Sequence, residues 1–348
     1  MAFATSDTPL RVPARGSGPD VLIVSIGATA GWHGADRALA EAMRSAGARV
    51  ALADAGPVPE VRTFMLTDLV QARAARRAAR RELARIRRAG GDPAVVYCSM
   101  TAALLWPAPG AIWLDALARE NRPGRHGVWQ RVVELARLRR APAVMIMAPG
   151  ALDALAPGHR PEAVVVPVPV DPSGPSAAVR DIDVVAYTGD PVKRRLDVIL
   201  DAWSRARRAS ETLVVAGLDR SPAPAGVRFT GRLAPDDFRA LLRRARVYAA
   251  APRREDFGIT PLQALADGCR LVTTPAPGSY AALRLARELD PRLIAEDLAG
   301  PLRIALDDPD PGYPARAAAL MAPYGRAAVR ATLAQDVLPR LLPGWMAS

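Results

Sequence analysis

The chain is short of lysine, cysteine and aromatic residues, and each shortage narrows what the protein can be. Of its 47 basic residues 46 are arginine, and the only lysine is Lys193. Cys98 and Cys269 both lie in apolar stretches, so we expect buried free thiols rather than a disulfide framework. Aromatic residues make up 5% of the chain, so no stacking platform accompanies the positive charge and we expect no nucleic-acid partner.

Long apolar runs are also missing. None approaches the ~18 residues that a membrane span requires, and residues 1–20 contain no apolar signal-peptide core. We therefore expect a cytoplasmic protein. Half of the 348 residues are apolar and the net charge is +12. This balance favours a soluble protein of two domains whose partners are anionic, such as nucleotide phosphates.

The sequence does contain a regular alternation of short apolar runs and helical patterns, which is typical of parallel α/β sheets. A Pro/Ser/Gly stretch at 167–181 interrupts this alternation and predicts an interdomain linker. The predicted domains are therefore 1–172 and 173–327. The predicted strands are 20–27, 49–56, 94–100, 111–117, 143–149, 163–170, 183–190, 212–219, 227–231, 247–252 and 270–275, and the main helices are 35–47, 195–210, 235–245 and 261–268.

The segment 247–274 is the most informative, because a strand, a polar loop and a helix follow one another there. The loop lies at the carboxyl end of a parallel strand, where open α/β sheets bind ligands and helix N-termini attract phosphate. Thr260 is the predicted N-cap, with Pro261 in the first helical position and Gln263 completing a capping box. Gly268 is placed to end the helix in the left-handed conformation.

Three charged residues stand next to predicted helix starts. Glu255 is an acid in a site otherwise suited to anions, so it either binds hydroxyl or cationic groups of a ligand or complements the helix dipole. Lys193 and Arg194 precede a predicted helix, and the dipole of a helix N-terminus repels positive charge. An anion bound between the two cations and the helix start would remove this repulsion. We therefore predict that both cations bind phosphate, the alternative being a solvated basic helix start.

The order of elements over residues 184–275 resembles the nucleotide-sugar half of family 4 retaining glycosyltransferases. Their motif E-x-F-G-x-x-x-x-(E)-A-(L/M)-A-x-G is similar to "EDFGITPLQALADG" at 255–268. The resemblance is weaker in the first half, where it covers "VPVD" at 168–171. It implies a GT-B fold, in which two Rossmann-like domains with parallel sheets face a central cleft. It also implies that a C-terminal helix at about 328–348 crosses back to the first domain.

The resemblance assigns roles residue by residue. Glu255, Lys193 and Arg194 would be catalytic, the glutamate beside the reacting carbon of the sugar and the cations on the diphosphate. The donor-binding candidates are Gly31, Gly189, Arg232, Phe257, Gly258, Ile259, Thr260 and Gln263. Two positions depart from the family pattern: Gln263 replaces a glutamate that grips the ribose, and Asp190 replaces an arginine. Ribose contact and helix capping both remain open for Gln263.

The first half offers a glycine-containing segment after its first strand. Gly27, Gly31 and Gly34 have the spacing GxxxGxxG, and Asp54 ends the second strand, as in a dinucleotide fingerprint with a ribose-binding acid. The resemblance instead places Gly31 in a loop that closes over the donor phosphate. The acceptor-side candidates are His33, Asp115 and His126.

The predicted helix at 71–90 carries eight arginines and a mostly alanine stripe. It either packs on the first sheet with a solvated outer face or makes peripheral contact with an anionic membrane, at the inner face. The pair Asp181 and Asp183 imitates a metal-binding DxD, but it lies at the start of its strand, the wrong end for a ligand. No zinc spacing occurs, so we expect neither a metal nor a bound cofactor.

These observations predict an enzyme that moves a sugar, from a UDP- or GDP-sugar, to a saccharide, lipid-linked or small-molecule acceptor. The resemblance implies a hexosyltransferase that retains configuration without a metal. Two alternatives stay open. Gln263 and Asp190 are compatible with a catalytically inactive, glycosyltransferase-like binding or scaffold protein. The glycines at 27–34 are compatible with an NAD(P)-dependent oxidoreductase, although the single lysine leaves no Tyr-x-x-x-Lys motif.

Overall fold

A computed structural model describes residues 18–27, 30–56, 58, 61, 64–122, 124–175, 177 and 179–345. It contains two sheets in which all paired strands are parallel, one in each half of the chain. The predicted α/β class is therefore confirmed. Most strands form where short apolar runs are buried on both faces, as expected for parallel sheets covered by helices.

The first sheet has the strand order β2-β1-β3-β4-β5-β6. Its strands are β1 (Val21–Ser25), β2 (Val50–Asp54), β3 (Ala94–Tyr97), β4 (Ala111–Leu114), β5 (Val144–Ile146) and β6 (Ala163–Val165). The second sheet has the order β11-β10-β7-β8-β9. Its strands are β7 (Ile182–Tyr187), β8 (Leu213–Ala216), β9 (Val227–Phe229), β10 (Ala245–Ala250) and β11 (Arg270–Thr273). The strand order reverses between β1 and β3 in the first sheet and between β7 and β10 in the second.

Helices cover both sheets, and further helices follow the second sheet along the chain as far as Leu341. In the described residues they are α1 (Ala30–Ser45), α2 (Phe64–Arg88), α3 (Met100–Ala103), α4 (Ala118–Asn121), α5 (Val128–Arg140), α6 (Leu196–Ala206), α7 (Pro235–Arg244), α8 (Ile259–Ala266), α9 (Ala281–Leu289), α10 (Ala299–Asp307), α11 (Tyr313–Met321), α12 (Arg326–Thr332) and α13 (Leu338–Leu341). Every strand and helix predicted above has a counterpart, with ends that differ by up to seven residues.

The two faces of β1 show how the core is built. Val21 and Ile23 belong to the apolar cluster that includes α1 residues, whereas Leu22 and Val24 belong to the cluster that includes α2 residues. This alternation is the period of two expected for a strand that is buried on both faces. The larger apolar cluster runs from the first sheet through the segment after β6 into the second sheet.

Helix α2 decides between the two interpretations of the basic segment 71–90. Its apolar stripe is almost completely buried against the first sheet, at Ala72, Ala75, Ala79, Leu83 and Ile86. The packed interpretation is therefore confirmed, and no apolar stripe is left on this helix to enter a membrane. Within the described part of the chain, no helix has the length and apolarity needed to cross one.

The segment between the sheets forms no helix or strand in its described residues 166–175, 177 and 179–181. It is nevertheless fixed, because the Val170 N–H donates to the carbonyl oxygen of Tyr324 at 2.7 Å. The C-terminal helix α12 contacts α1 of the first half. An ion pair between Arg326 and Glu41, 3.3 Å between Nη1 and Oε2, joins the same two helices.

Candidate functional site

The site is built at the point where the strand order of the second sheet reverses. β7 and β10 are neighbours there, and both end at the same edge of the sheet. The turn 190–195 follows β7, and the loop 251–258 follows β10. Open α/β sheets bind ligands outside the carboxyl ends of their strands at such a reversal, so these two loops mark the candidate site.

The two loops bring together an arginine and a glutamate that are 61 residues apart in sequence. The Arg194 guanidinium donates a hydrogen bond to the Glu255 carboxylate, and the two form an ion pair. Their side chains are 24% and 12% exposed, so the pair is accessible at the edge of the cleft. Burial alone would lower the pKa of Arg194, but Glu255 raises it above its ordinary value. The arginine therefore stays charged.

The backbone of Glu255 is held by the loop that follows β11. Its N–H donates to the Pro277 carbonyl at 3.0 Å, and its own carbonyl accepts from the Tyr280 N–H at 3.3 Å. Gly278 has φ +109°, and a Cβ at this position would collide with the Glu255 carbonyl oxygen. The sequence reasoning missed Gly278 and Tyr280. Their signal was "APGSY" at 276–280, which follows the strand next to β10 and so lies at the same edge.

Helix α8 begins beside Glu255, but its start differs from the prediction. Gly258, with φ +86°, is the N-cap, and no side chain caps the helix. Thr260 therefore lies inside the first turn, and the capping box with Gln263 is wrong. Glycine is the N-cap because a left-handed residue is needed there. The Cβ of any other residue at this position would lie 2.8 Å from the Tyr280 ring. Gly268, with φ +83°, ends the helix as predicted.

The start of α8 still offers backbone donors. The first N–H groups of a helix have no intrahelical acceptor, and Ile259 and Thr260 are both partly exposed. Phe257 is 4% exposed and its ring packs 6.3 Å from that of Tyr324. Any ligand contact of Phe257 therefore runs through its backbone. Gln263 is partly exposed on the same helix.

The turn 190–195 explains one departure from the family pattern. The Asp190 carboxylate accepts the N–H groups of Val192 at 3.1 Å and Lys193 at 2.9 Å. The Asp190 side chain therefore stabilises the turn by accepting backbone N–H groups that follow it, as aspartate commonly does. Lys193 is exposed, and its carbonyl accepts the Arg253 N–H at 3.0 Å. No ion pair involves Lys193 among the described residues, whereas Arg194 is paired.

Two further donor-side candidates lie at the same edge of the second sheet. Gly189 follows β7 and is exposed, and a Cβ on the neighbouring Gly217 would lie 2.8 Å from its nitrogen. Arg232 is exposed just after β9, which is two strands away from β7. Both positions border the candidate site without contacting Glu255 in the described contacts.

The first half contributes carboxyl groups that face the site. Asp115 follows β4, and its carbonyl oxygen accepts the Ser279 hydroxyl at 3.2 Å across the cleft. A second contact between the halves joins Arg254 Nη2 to Glu120 Oε1 at 3.6 Å. Burial, then the carboxylates of Asp256 and Glu255, raise the pKa of Asp115 to about 7. Asp115 can therefore exchange a proton near neutral pH.

The other first-half candidates lie elsewhere. His33 is in α1, with its Nδ1 3.6 Å from Oδ2 of Asp54 at the end of β2. Gly31 belongs to the first turn of α1, so its placement in a loop is wrong. The helix begins before the two glycines, with Trp32 partly buried against the core cluster while Gly31 and Gly34 are exposed. His126 lies in the helical turn Gly124–Gly127, and its side chain is outside the described residues.

Two observations concern metals. Among the described residues, no group of three or more His, Cys, Asp and Glu side chains is arranged to hold an ion. The Asp181 and Asp183 pair lies at the N-terminal start of β7, as predicted. Asp183 accepts from Arg246 at 3.1 Å, and Asp181 pairs with Arg244. Both carboxylates are thus neutralised by arginines far from the carboxyl edge of the sheet.

Comparison with known proteins agrees with the sequence resemblance. Residues 182–300 match the family model for glycosyl transferases group 1. The match begins at β7 and ends at the start of α10, so it includes Arg194 and Glu255. The resemblance to glycosyltransferases is therefore confirmed over this segment. No curated protein sequence matches the chain.

Solved structures match nearly the whole chain. Sucrose-phosphate synthase from Thermosynechococcus elongatus has a TM-score of 0.63 at 16% identity, covering 89% of this chain and 94% of that one. WaaG, a glycosyltransferase involved in lipopolysaccharide biosynthesis, has a TM-score of 0.58 at 14% identity, covering 92% and 96%. A UDP-forming α,α-trehalose-phosphate synthase from Burkholderia xenovorans, in complex with glucose-6-phosphate, has 0.59 at 14%, covering 79% and 80%. These matches confirm the GT-B fold.

Proposed function

We propose that the protein is a glycosyltransferase that moves a sugar from a nucleotide-diphosphate sugar to an acceptor hydroxyl, with retention and without a metal. The family match and the fold support a glycosyltransferase. The observation that supports a nucleotide-diphosphate donor is the meeting of Arg194 and Glu255 at the strand reversal, beside the start of α8. Retention and metal independence are proposed from the family resemblance. In this proposal residues 173–327 bind the donor, and residues 1–172 with the C-terminal segment 328–348 bind the acceptor.

The donor diphosphate would lie between Arg194 and the first N–H groups of α8. A guanidinium and a helix N-terminus both favour negative charge, and they approach the same space from two loops. Glu255 would accept hydrogen bonds from hydroxyl groups of the sugar. Gln263 would form hydrogen bonds with hydroxyl groups of the ribose. Lys193, exposed on the adjacent turn, would add a second cation. The Burkholderia enzyme is named as UDP-forming, which supports UDP as the nucleotide, and GDP is the other nucleotide that we propose.

The proposed reaction is the one that the family resemblance implies. The bond between the anomeric carbon and the phosphate oxygen breaks, and a bond from the same carbon to the acceptor oxygen forms on the same face. The acceptor proton passes to the departing phosphate oxygen, so no separate base is required. Arg194 would stabilise the negative charge that develops on the phosphate, which is the kind of electrostatic term that often dominates catalysis.

The acceptor would lie on the first-half side of the cleft, near Asp115, with His33 and His126 as further candidates. A saccharide, a lipid-linked acceptor and a small molecule all fit a hydroxyl nucleophile. Contact with an anionic membrane would use the outer face of α2. Arg73, Arg77 and Arg80 are exposed there, and none has an ion-pair partner among the described residues. Such contact would be electrostatic, because the apolar stripe of α2 is buried.

One observation favours an inactive binding protein as the second candidate. The Asp190 carboxylate occupies the Val192 and Lys193 N–H groups, which would otherwise be free to bind phosphate. A carboxylate at this place also opposes an anionic ligand. Nucleotide binding without sugar release or transfer would support this alternative.

The proposal is tested with the purified chain and a panel of UDP-, GDP- and ADP-sugars. We expect one donor to be hydrolysed slowly or transferred, and its nucleoside diphosphate to raise the melting temperature. Arg194→Ala should weaken diphosphate binding by roughly 1.5–3 kcal/mol, since a charge-assisted hydrogen bond is lost. Arg330→Ala on α12 is the matched control for net charge and should bind normally. Unchanged binding in Arg194→Ala would refute the proposed donor site.

A further inference from the structure

Arg195, the residue after the proposed phosphate ligand, has an unusual backbone. Its φ is +47° and its ψ is +57°, which is the left-handed conformation. Among the described residues it is the only one other than glycine with a positive φ. A side chain at Cβ makes this conformation unfavourable, and glycine would adopt it freely. The contacts of the guanidinium therefore have to explain why arginine, and not glycine, occupies this position.

The Arg195 side chain does not cap the helix that follows it. It is the N-cap residue of α6 but makes no side-chain capping hydrogen bond. Instead Nε donates to the Ala251 carbonyl at 2.9 Å, and Nη2 donates to the Thr274 hydroxyl at 3.0 Å. Ala251 and Thr274 directly follow β10 and β11, so one guanidinium bridges the ends of two neighbouring strands. Glu296 Oε2 lies 4.0 Å from Nη2.

A second arginine, Arg253 in the loop after β10, also connects this loop to the turn 190–195. The Arg253 N–H donates to the Lys193 carbonyl at 3.0 Å, and Arg253 Nε donates to the Val192 carbonyl at 3.0 Å. Besides the Arg194–Glu255 hydrogen bond, four hydrogen bonds therefore link the turn 190–195 to the loop 251–258 and to the end of β11. The relative position of Arg194 and Glu255 depends on these links, because the two residues belong to loops that are otherwise separate in sequence.

We propose that Arg195 is a positioning residue, which holds Arg194 in place for the donor diphosphate by bridging the ends of β10 and β11. This inference rests on the proposed function, since it takes the diphosphate as the ligand of Arg194. The physical reason is preorganisation. A cation that is already fixed loses less conformational freedom when the anion binds, and it needs no rearrangement as charge develops on the phosphate.

The guanidinium of Arg195 is itself engaged with the carbonyl of Ala251 and the hydroxyl of Thr274, so its effect on the ligand is indirect. Thr274 is fully buried, which fixes the hydroxyl that Arg195 uses. The turn backbone between 190 and 195 is also closed by its own hydrogen bonds, from Arg194 N–H to the Asp190 carbonyl at 3.0 Å and from Leu196 N–H to the Pro191 carbonyl at 2.9 Å. Arg195 therefore anchors a turn that is already formed.

The test compares Arg195→Gly with the unchanged chain by titration calorimetry. Glycine keeps the left-handed backbone, which it adopts more readily than arginine, and removes the whole side chain with its guanidinium. The probes are UDP, GDP and ADP, each with its parent nucleoside. For the nucleoside diphosphate that binds, we expect Arg195→Gly to lose roughly five- to twentyfold in affinity, and the parent nucleoside to change less than about twofold. A general loss of structure would weaken both. Guanidinium ion at a few millimolar should restore part of the diphosphate affinity.

Thr274→Val is the second variant, because it keeps the buried shape and removes only the hydroxyl that accepts from Arg195. We expect about a two- to fivefold loss of diphosphate affinity, again without loss of nucleoside affinity. If Arg195→Gly, Thr274→Val and the unchanged chain all bind the diphosphate equally well, the positioning role of Arg195 is wrong, while the proposed function stands. If the unchanged chain binds none of the three nucleoside diphosphates, the proposed function fails first and the inference with it.

Discussion

The two sheets have the same kind of strand reversal, but their carboxyl edges differ in chemistry. Between β7 and β10 the loops bring a paired guanidinium and carboxylate to the cleft. Between β1 and β3 the polar group is buried: Asp36 is 1% exposed and accepts a hydrogen bond from the Ser25 hydroxyl. The same hydroxyl accepts the Gly27 N–H at 3.2 Å. Burial raises the pKa of Asp36 to about 7.

This difference teaches that the loops, and not the sheets, decide what each edge can bind. In the described residues the second edge presents the Arg194–Glu255 ion pair, whereas Asp36 at the first edge is buried and accepts from Ser25. The first edge also carries Asp54, whose Oδ2 lies 3.6 Å from His33 Nδ1. A shared architecture therefore carries two tasks, in agreement with the general rule that function is located in sites placed on a fold. The predictions below test this division between the two edges.

The largest effect is expected from Glu255→Gln at the second edge. The amide keeps the shape but loses the charge that faces the sugar, so turnover should fall at least about 100-fold. Affinity for the nucleoside diphosphate should stay equal or increase, because Arg194 is no longer held by a carboxylate. Steady-state kinetics and calorimetry measure the two quantities. Asp256→Asn, which changes the adjacent carboxylate, is the control and should lose less than about tenfold in turnover. Equal losses of turnover and affinity in Glu255→Gln would contradict the assigned role.

Gly278→Ala should have the next largest effect, since the new Cβ would collide with the Glu255 carbonyl and φ is +109°. We expect turnover to fall roughly 10–100-fold and the free energy of unfolding to decrease by about 1–3 kcal/mol. Gly300→Ala is the matched control, because a Cβ there meets no atom within 4 Å. Similar melting temperatures and rates for the two variants would show that the Glu255 backbone is not held as described.

Gln263→Ala separates ligand contact from helix capping. Since no side chain caps α8, the melting temperature should not change, while affinity for the nucleoside diphosphate should fall by roughly 0.5–1.5 kcal/mol. Gln263→Glu should bind more tightly than the alanine variant, because a carboxylate forms stronger hydrogen bonds to ribose hydroxyls. A lower melting temperature with unchanged affinity would point to a structural role instead.

The smallest effect on activity is expected at the first edge, from Asp36→Asn. The folded protein binds the Asp36 proton more tightly than the unfolded chain, since the pKa is raised from 3.8 to about 7. This contribution to stability is present at acid pH and is lost as the pH rises from about 4 to 7. The stability of the asparagine variant relative to the unchanged chain should therefore increase by roughly 1–3 kcal/mol between pH 5 and pH 8, in urea unfolding. A difference that does not vary with pH would contradict the buried carboxyl group.

The sequence predicted the elements well but the contacts only in part. The strands were evident because runs such as Val21–Ser25 are buried on both faces and so are continuously apolar. Glu255 and Arg194 were each named from local context. Their pairing was not, because it depends on β7 and β10 being neighbours. The Thr260 cap was wrong, since a left-handed Gly258 took the position.

Arg195, Gly278 and Tyr280 were missed for the same reason. Each acts through a segment far away in sequence: Arg195 on the ends of β10 and β11, Gly278 and Tyr280 on the Glu255 backbone. Local patterns report propensities and caps, but they carry little information on such tertiary approaches. The signal available was indirect, namely that loops after neighbouring parallel strands meet at one edge.

The most direct test of the central claim is a crystal structure of the chain with the nucleoside diphosphate that binds it. We predict that the two phosphates lie within hydrogen-bonding distance of the Arg194 guanidinium and of the first N–H groups of α8, with Glu255 facing the position of the sugar. A well-ordered nucleotide whose phosphates contact neither Arg194 nor the start of α8 would contradict the account.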